Sequence, residues 1–131
     1  MENKKQKTVV AGALGECVHV AGVLNFFQLA EQAGWRTVFL GPAVSIKQAI
    51  QAAETENAEL LAISYRLTPE TGERLLAQFS ESGLPPCKSG VQFAFGGTPP
   101  VAERAEKLGF FDAVFNGTQT YEDILAFLKG E

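Results

Sequence analysis

The chain has 131 residues, a formal net charge of -4 and 46% hydrophobic residues, which suffices for one buried core and is too short for two ordinary domains. The acidic balance, without a basic stripe, argues against a nucleic-acid partner. No apolar run approaches the roughly 20 residues that span a bilayer, and Cys17 and Cys87 indicate neither a disulfide framework nor a zinc site. Residues 1–7 lack the apolar stretch of a signal peptide. We expect a flexible segment over 1–7 and a single cytoplasmic domain over 8–131.

Five apolar segments alternate with helical patterns along the chain. The predicted strands are Thr8–Leu14, Arg36–Leu40, Leu60–Ser64, Val91–Phe95 and Ala113–Phe115. Their nearly continuous apolar character is typical of strands buried on both faces of a parallel sheet. The strict alternation predicts a three-layer α/β/α, doubly wound (Rossmann-like) sandwich, and five strands favour the flavodoxin-like order 2-1-3-4-5.

Apolar residues at helical spacing predict five helices. Ser45 with Gln48 forms a capping box at the start of the second helix, and Thr120 is the predicted N-cap of the fifth. Gly34 and Gly109 are predicted to end the first and fourth helices. The first helix is predicted over Val23–Ala33, and the buried stripes of the third, fourth and fifth are Leu75, Leu76 and Phe79; Val101, Ala105 and Leu108; and Tyr121, Ile124, Leu125 and Leu128.

The residues that follow the predicted strands indicate where a ligand binds, because open parallel sheets bind ligands outside the carboxyl ends of their strands. In chain order they are Gly15, Glu16, Cys17 and His19; Gly41 and Pro42; Ser64, Tyr65 and Arg66; Gly96, Gly97 and Thr98; and Asn116, Gly117 and Thr118. Glycines and small hydroxyl residues dominate this set, so a ligand can approach the backbone closely. The pattern predicts a broad trough for a large flat ligand or a long tail.

Several familiar sites are excluded by their missing motifs. The chain has neither G-x-G-x-x-G nor the G-x-x-x-x-G-K-[ST] phosphate loop. It also lacks the acidic pair of a receiver domain after the first strand and the Ser/Thr-rich phosphate loop of flavodoxins. A nucleophilic Cys17 beside His19 is an alternative, because a nearby imidazolium lowers the pKa of a thiol. Two loop residues at that spacing need not meet, so this alternative is the weaker one.

Taken together, the edge residues resemble the His-on cobalamin-binding domain found in glutamate mutase and methylmalonyl-CoA mutase. That family carries Asp-x-His-x-x-Gly after the first strand, Ser-x-Leu after the third, Gly-Gly after the fourth and Pro-Gly-Thr after the fifth. Here His19 and Gly22 match the first motif, Ser64 the second and Gly96-Gly97 the third, and Asn116-Gly117-Thr118 is similar to the last. The resemblance extends over almost the whole chain, and four matching edges make it moderately specific.

The resemblance implies that the chain binds cobalamin with its dimethylbenzimidazole base released from cobalt and its nucleotide tail inserted at the sheet edge. His19 would be the lower axial ligand of the cobalt, and Ser64 would hydrogen-bond the buried base nitrogen. The implied cofactor contacts are Gly15, Glu16, Cys17, Val18, His19, Val20, Ala21, Gly22, Ser64, Tyr65, Arg66, Gly96, Gly97, Asn116, Gly117 and Thr118. No residue is expected to be catalytic, and the upper ligand (adenosyl, methyl or hydroxo) stays open.

The implied role is that of a subunit or carrier for a separate mutase or methyltransferase chain, since the radical or methyl chemistry belongs to the cofactor. A module that stores, delivers or senses cobalamin is an alternative, and so is a flavodoxin-like interaction domain without a cofactor. Some single residues have alternative roles. Ser64 could instead satisfy backbone groups at a strand end, and Gly96-Gly97 could be a tight turn into the following helix. Tyr65 is compatible with a position in the core, at the rim of the site or in an interface, and Arg66 could contact a corrin amide, a substrate carboxylate or a partner protein.

Cys17 stands where the family has its aspartate. A ligating histidine usually donates its second N–H to a carboxylate or carbonyl, which raises the basicity of the ring. Unless Glu16 or a backbone carbonyl replaces the aspartate, the axial bond is expected to be weaker here than in relatives that have it. The Cys17→Asp variant is therefore expected to bind cobalamin about tenfold more tightly and to change the visible spectrum of the complex. Titration of the purified protein with hydroxocobalamin measures both quantities. Affinity and spectrum equal to those of the wild type would contradict the argument.

Overall fold

The structure is a computed structural model that describes residues 6–14, 21–65, 67–81, 91–109 and 111–130. Strands and helices alternate in the described residues. Their bounds are β1 Thr8–Leu14, α1 Ala21–Gln32, β2 Arg36–Val44, α2 Ile46–Thr55, β3 Leu60–Tyr65, α3 Pro69–Glu81, β4 Gln92–Gly97, α4 Pro99–Leu108, β5 Ala113–Phe115 and α5 Tyr121–Lys129. All neighbouring strands pair in parallel, in the order β2-β1-β3-β4-β5. The predicted three-layer, flavodoxin-like fold is confirmed.

The sheet separates two hydrophobic cores. On one face the strands pack against α2, α3 and α4, and on the other they pack against α1 and α5. Strand β3 shows the alternation: Leu61, Ile63 and Tyr65 belong to the first core, whereas Leu60 and Ala62 belong to the second. Both faces are apolar because both are covered, which explains the continuous hydrophobic runs in the sequence.

Strand β2 ends at Val44, four residues beyond the predicted end at Leu40. Gly41 and Ala43 have φ angles of 92° and 58°, and the register with β1 shifts on either side of Gly12. Such bulges let a strand accommodate extra residues and keep pairing with its neighbour. Gly41 and Pro42, which the sequence predicts to follow the strand, are thus part of it.

Strand β4 includes Gly96 and Gly97, which were predicted to follow it. They pair with Ser64 and Tyr65 of β3. The alternative reading of the two glycines as a tight turn is therefore wrong, and helix α4 begins afterwards with Thr98 as its N-cap residue.

Helix α1 begins at Ala21, two residues before the start that the sequence predicts.

The predicted caps of α2, α4 and α5 agree with the structure. Ser45 and Gln48 form the expected capping box, with bonds of 3.0 and 2.9 Å. Thr120 caps α5 by accepting a hydrogen bond from the backbone N–H of Asp123 at 3.1 Å. Gly109, with φ 67°, ends α4 in the left-handed conformation that favours glycine.

The predicted stripes of α3 and α5 are only partly buried. In α3, Leu76 is fully buried and Leu75 packs against the same core, while the side chain of Phe79 lies outside the described residues. In α5, Leu128 is buried, but Tyr121 is 66% exposed. The prediction of Tyr121 as a core residue is therefore wrong, because a cavity replaces the core beside the first turn of α5.

The start of the chain contacts the sheet. The carbonyl oxygen of Lys7 accepts a hydrogen bond from the backbone N–H of Arg36 at 2.7 Å, and the side-chain amide of Gln6 donates one to the carbonyl of Gly34 at 3.2 Å. Residues 1–5 lie outside the described residues, and the predicted flexibility of the terminus stays a prediction. None of the described helices has the length and apolarity that crossing a membrane requires.

Candidate functional site

A cavity of about 310 Å³ lies between the sheet and the helix pair α1 and α5. Its volume is at the lower end of the range typical of small-molecule sites, roughly 300–1,000 Å³. Its described lining consists of Ala11, Gly22, Val23, Asn25, Phe26, Leu29, Ala62, Ile63, Ser64, Ala94, Gly96, Gly97, Phe115, Gly117, Tyr121 and Ile124. The lining includes residues at the ends of β3, β4 and β5, so the cavity reaches the sheet edge at which the sequence predicts a ligand.

The floor of the cavity belongs to a row of alanines that crosses four strands. Ala11 of β1 is in register with Ala62 of β3, Ala62 with Ala94 of β4, and Ala94 with Ala113 of β5. The first three line the cavity. Alanine has the smallest side chain other than glycine, so the row leaves room beneath α1 and α5. Neighbouring alanines of the row are 19 or more positions apart in the sequence, so the row becomes visible only once the strand register is known.

The next row toward the strand ends holds the buried polar group of the site. Ser64 pairs with Gly96, and Gly96 pairs with Phe115. The hydroxyl oxygen of Ser64 is buried and has no hydrogen-bond partner among the described residues. Leaving a buried hydroxyl unpaired costs about 1–3 kcal/mol. An unpaired hydroxyl facing a cavity is therefore a strong indication of a ligand that accepts its hydrogen bond.

The two adjacent glycines of β4 differ in the space around them. A methyl group added at Gly96 would meet nothing closer than the carbonyl oxygen of Phe115 at 4.0 Å. The same group at Gly97 would stand 2.5 Å from the carbonyl oxygen of Tyr65. Gly97 is thus required by the packing of the sheet, whereas Gly96 leaves free volume next to Ser64.

Apolar and aromatic side chains form the walls. Phe26 of α1 contacts Phe115 of β5, with ring centroids 6.2 Å apart, and Phe115 contacts Phe127 of α5 edge-on at 5.9 Å. None of the described lining residues carries a formal charge. Aromatic rings beside a flat, neutral floor suit a planar apolar group.

The sequence-predicted residues differ in where the structure places them. Gly22, Ser64, Gly96, Gly97 and Gly117 are brought together in the lining of the cavity. The lining residues that the sequence did not predict come mainly from inside strands and helices: Ala11, Val23, Asn25, Phe26, Leu29, Ala62, Ile63, Ala94, Phe115, Tyr121 and Ile124.

Three predicted residues lie beside the cavity without lining it. The ring of Tyr65 is 2% exposed and belongs to the opposite core, because successive side chains of a strand point to opposite faces. Asn116 and Thr118 form a local turn, in which the backbone N–H and the hydroxyl of Thr118 both donate to the side-chain oxygen of Asn116, at 3.0 and 2.6 Å. This turn holds Gly117, whose φ angle is 96°. A cofactor contact by Tyr65, Asn116 or Thr118 stays a prediction.

All the remaining predicted residues except Ala21 lie outside the described residues. They are Gly15, Glu16, Cys17, Val18, His19, Val20 and Arg66. Ala21 is the first residue of α1, and its contact with the cofactor stays a prediction. Within the part of the chain that the structure describes, no three His, Cys, Asp or Glu residues form a group that could hold a metal ion.

Comparison with known proteins decides the family. The sequence model of the B12 binding domain matches residues 7–125. The chain belongs to the B12-binding domain family. It is also 30% identical to a protein named glutamate mutase sigma subunit 2 from Haloarcula marismortui, over 95% of this chain and 87% of that protein. Cobalamin is accordingly the cofactor of this chain.

Solved structures share the fold. A cobalamin-binding protein from Desulfitobacterium hafniense superposes with a TM-score of 0.72 at 20% identity, over 96% of this chain and 59% of that one. The methanol:cobalamin methyltransferase complex MtaBC from Methanosarcina barkeri gives 0.71 at 19% identity, over 99% and 49%. A CheY-like receiver domain from Methylobacillus flagellatus gives 0.65 at 16% identity, over 96% and 98%. This chain thus spans only about half to three fifths of the two cobalamin-related chains.

The residues of the cavity fit part of the cofactor. A benzimidazole is planar and largely apolar, and after its release from cobalt it has one ring nitrogen free to accept a hydrogen bond. The cavity offers aromatic walls and one buried, unpaired hydroxyl at Ser64. The low floor and the open space at Gly96 provide volume beside that hydroxyl.

Substitutions at the two adjacent glycines distinguish an effect on cofactor binding in the cavity from an effect on the stability of the sheet. Gly96→Ala is expected to leave the free energy of unfolding unchanged or to raise it by up to about 1 kcal/mol, while weakening cobalamin binding because the methyl group occupies cavity volume. Gly97→Ala is expected to destabilise the protein by about 1–3 kcal/mol, because its methyl group meets backbone. Thermal unfolding without ligand and titration with hydroxocobalamin check both. Equal cobalamin affinity of Gly96→Ala and the wild type would contradict the view that the cavity holds part of the cofactor.

Proposed function

We propose that this chain holds cobalamin in the base-off, His-on state, with the benzimidazole and its nucleotide tail inside the cavity and His19 as the lower axial ligand of cobalt. The observation that carries the proposal is the buried, unpaired hydroxyl of Ser64 on the floor of a neutral cavity. This cavity suits a tail that has left the cobalt, and the vacated position then requires another ligand. Imidazole is a common ligand of transition metals, and His19 is the single histidine of the chain.

Each described residue has a part in holding the tail. The hydroxyl of Ser64 donates a hydrogen bond to the free ring nitrogen of the base, so that both groups are paired on leaving water. Phe26 and Phe115 would contact the base. Gly96 and the alanine floor provide the space. Binding of the tail would thus remove an apolar surface from water and give the buried Ser64 hydroxyl, unpaired among the described residues, a partner.

The two elements on either side of the His19 segment both line the cavity. The segment 15–20 follows β1 directly and leads into α1, and both Ala11 of β1 and Gly22 of α1 line the cavity. His19 belongs to this connection in the sequence, which supports its assignment as the cobalt ligand.

The chain acts as a cofactor-bearing subunit or carrier for a separate catalytic protein. The Haloarcula relative is named as a subunit of glutamate mutase, and its length is similar to that of this chain. When bound, cobalamin supplies a cobalt–carbon bond that can be cleaved for radical or methyl-transfer chemistry. In this proposal the described α/β/α layers hold the cofactor, and a separate catalytic protein supplies the substrate site.

Replacement of Ser64 tests the tail site through two opposite effects. Ser64→Ala is expected to raise the free energy of unfolding of the ligand-free protein by about 1 kcal/mol, because it removes a buried unpaired hydroxyl. The same change is expected to weaken cobalamin binding roughly 3- to 10-fold, because the base nitrogen loses its donor. Chemical denaturation without ligand and spectrophotometric titration with hydroxocobalamin measure the two effects. Thr55→Ala removes an exposed hydroxyl at the end of α2, on the opposite face of the sheet, and serves as the control. A fall in stability together with unchanged affinity would show that Ser64 has a structural role only.

A further inference from the structure

The ring of Tyr65 is packed tightly on the face of the sheet opposite the cavity. A methyl group added at Gly72 of α3 would stand 2.9 Å from Cδ2 of this ring and 3.2 Å from Cγ1 of Val101 on α4. Carbon atoms in favourable contact are about 3.5–4.0 Å apart, so the ring occupies space that only a glycine leaves at this position of α3. Val101 belongs to the same core. The Tyr65 ring is thus anchored by the helices that cover this face.

The backbone of Tyr65 is held as closely as its ring. Tyr65 pairs with Gly97 of β4, and a methyl group added at Gly97 would stand 2.5 Å from the carbonyl oxygen of Tyr65. Strand β1 pairs with β3 as far as Ser64, and β4 pairs with it as far as Tyr65. Both the paired backbone and the packed ring therefore fix the last residue of β3.

Ser64 directly precedes Tyr65 and depends on the same stretch of backbone. The two side chains point to opposite faces of the sheet, so the strand end that carries one also carries the other. The neighbour of Ser64 on β4 is Gly96, which has no side chain to contact the serine. The direction of the Ser64 hydroxyl therefore follows the backbone of β3, and a rotation of the strand end moves this hydroxyl.

We propose that Tyr65 is a positioning residue for cofactor binding: its ring, anchored against Gly72, fixes the end of β3 so that the Ser64 hydroxyl faces the base of the nucleotide tail. This inference rests on the proposed hydrogen bond between Ser64 and the base. Hydrogen bonds weaken steeply when the donor leaves the favourable angle, so a small displacement of the strand end suffices to weaken this one. Gly72 is then a glycine required for cobalamin binding although it lies on the other side of the sheet.

The quantity to measure is the ratio of the affinities for cobalamin and for cobinamide, which lacks the nucleotide tail. A variant that only lowers the folded fraction weakens the binding of both corrinoids equally and leaves this ratio unchanged. A displaced Ser64 hydroxyl weakens the binding of cobalamin alone. Tyr65→Leu and Gly72→Ala are therefore each expected to lower the ratio, by up to the roughly 3- to 10-fold expected for Ser64→Ala.

The choice of variants separates the ring from the fold. Gly72→Ala keeps the Tyr65 ring and has the higher helix propensity, so it tests the proposal even if Tyr65→Leu does not fold. Tyr65→Phe retains the packed ring and is expected to keep most of the cobalamin affinity that Tyr65→Leu loses. Gln78→Ala, at an exposed position of the same helix, is the matched control for Gly72→Ala.

Combination with Ser64→Ala decides whether Tyr65 acts through the hydroxyl. In the Ser64→Ala background, Gly72→Ala is expected to cause no further fall of the ratio, because the group that it displaces is already absent. Equal falls in both backgrounds, an unchanged ratio in folded Gly72→Ala, or equal losses in Tyr65→Phe and Tyr65→Leu would overturn the role of Tyr65, while the bond from Ser64 stands. If Ser64→Ala itself leaves the ratio unchanged, the proposed bond to the base fails and the role of Tyr65 fails with it.

Discussion

The size of the side chains on one face of the sheet is the constraint on which the site depends. Ala11, Ala62, Ala94 and Ala113 lie at the same level on β1, β3, β4 and β5. Such small residues leave a cavity between part of the sheet and the helices α1 and α5, beside the core that these elements also form. The opposite face carries Leu61, Ile63, Phe93 and Phe95 and is closed by α2, α3 and α4. Both faces of the sheet thus contribute a hydrophobic core, and one of them also contains the cavity.

The fold and the edge of the site follow from local patterns in the sequence. Continuous apolar runs identify the strands, and the helix caps at Ser45, Thr120 and Gly109 follow from short-range hydrogen bonding and from the tolerance of glycine for positive φ. Ser64 and Gly96 were predicted because residues at the carboxyl ends of parallel strands share one edge. These inferences need only the order of elements along the chain.

The rest of the site depends on register and on the cavity itself. Ala62 and Ala94 read as ordinary strand residues until pairing places them side by side. Tyr121 occupies a core position by helical spacing, yet it is exposed because the cavity opens beside it. Tyr65 follows Ser64 directly and points away from it, since adjacent strand residues face opposite sides. Sequence spacing alone does not distinguish these residues from ordinary strand or core residues, because their positions depend on the pairing of strands or on the presence of the cavity.

The central claim is that His19 ligates cobalt while the base lies in the cavity. Since His19 is the single histidine, ¹⁵N-histidine labels only this residue in an untagged protein. The EPR spectrum of the complex with cobalamin reduced to the paramagnetic Co(II) state reports the axial nitrogen through its hyperfine splitting. The account predicts triplets for the unlabelled protein and doublets for the ¹⁵N-histidine protein. Triplets in both samples would show that the benzimidazole nitrogen still ligates cobalt and would contradict the account.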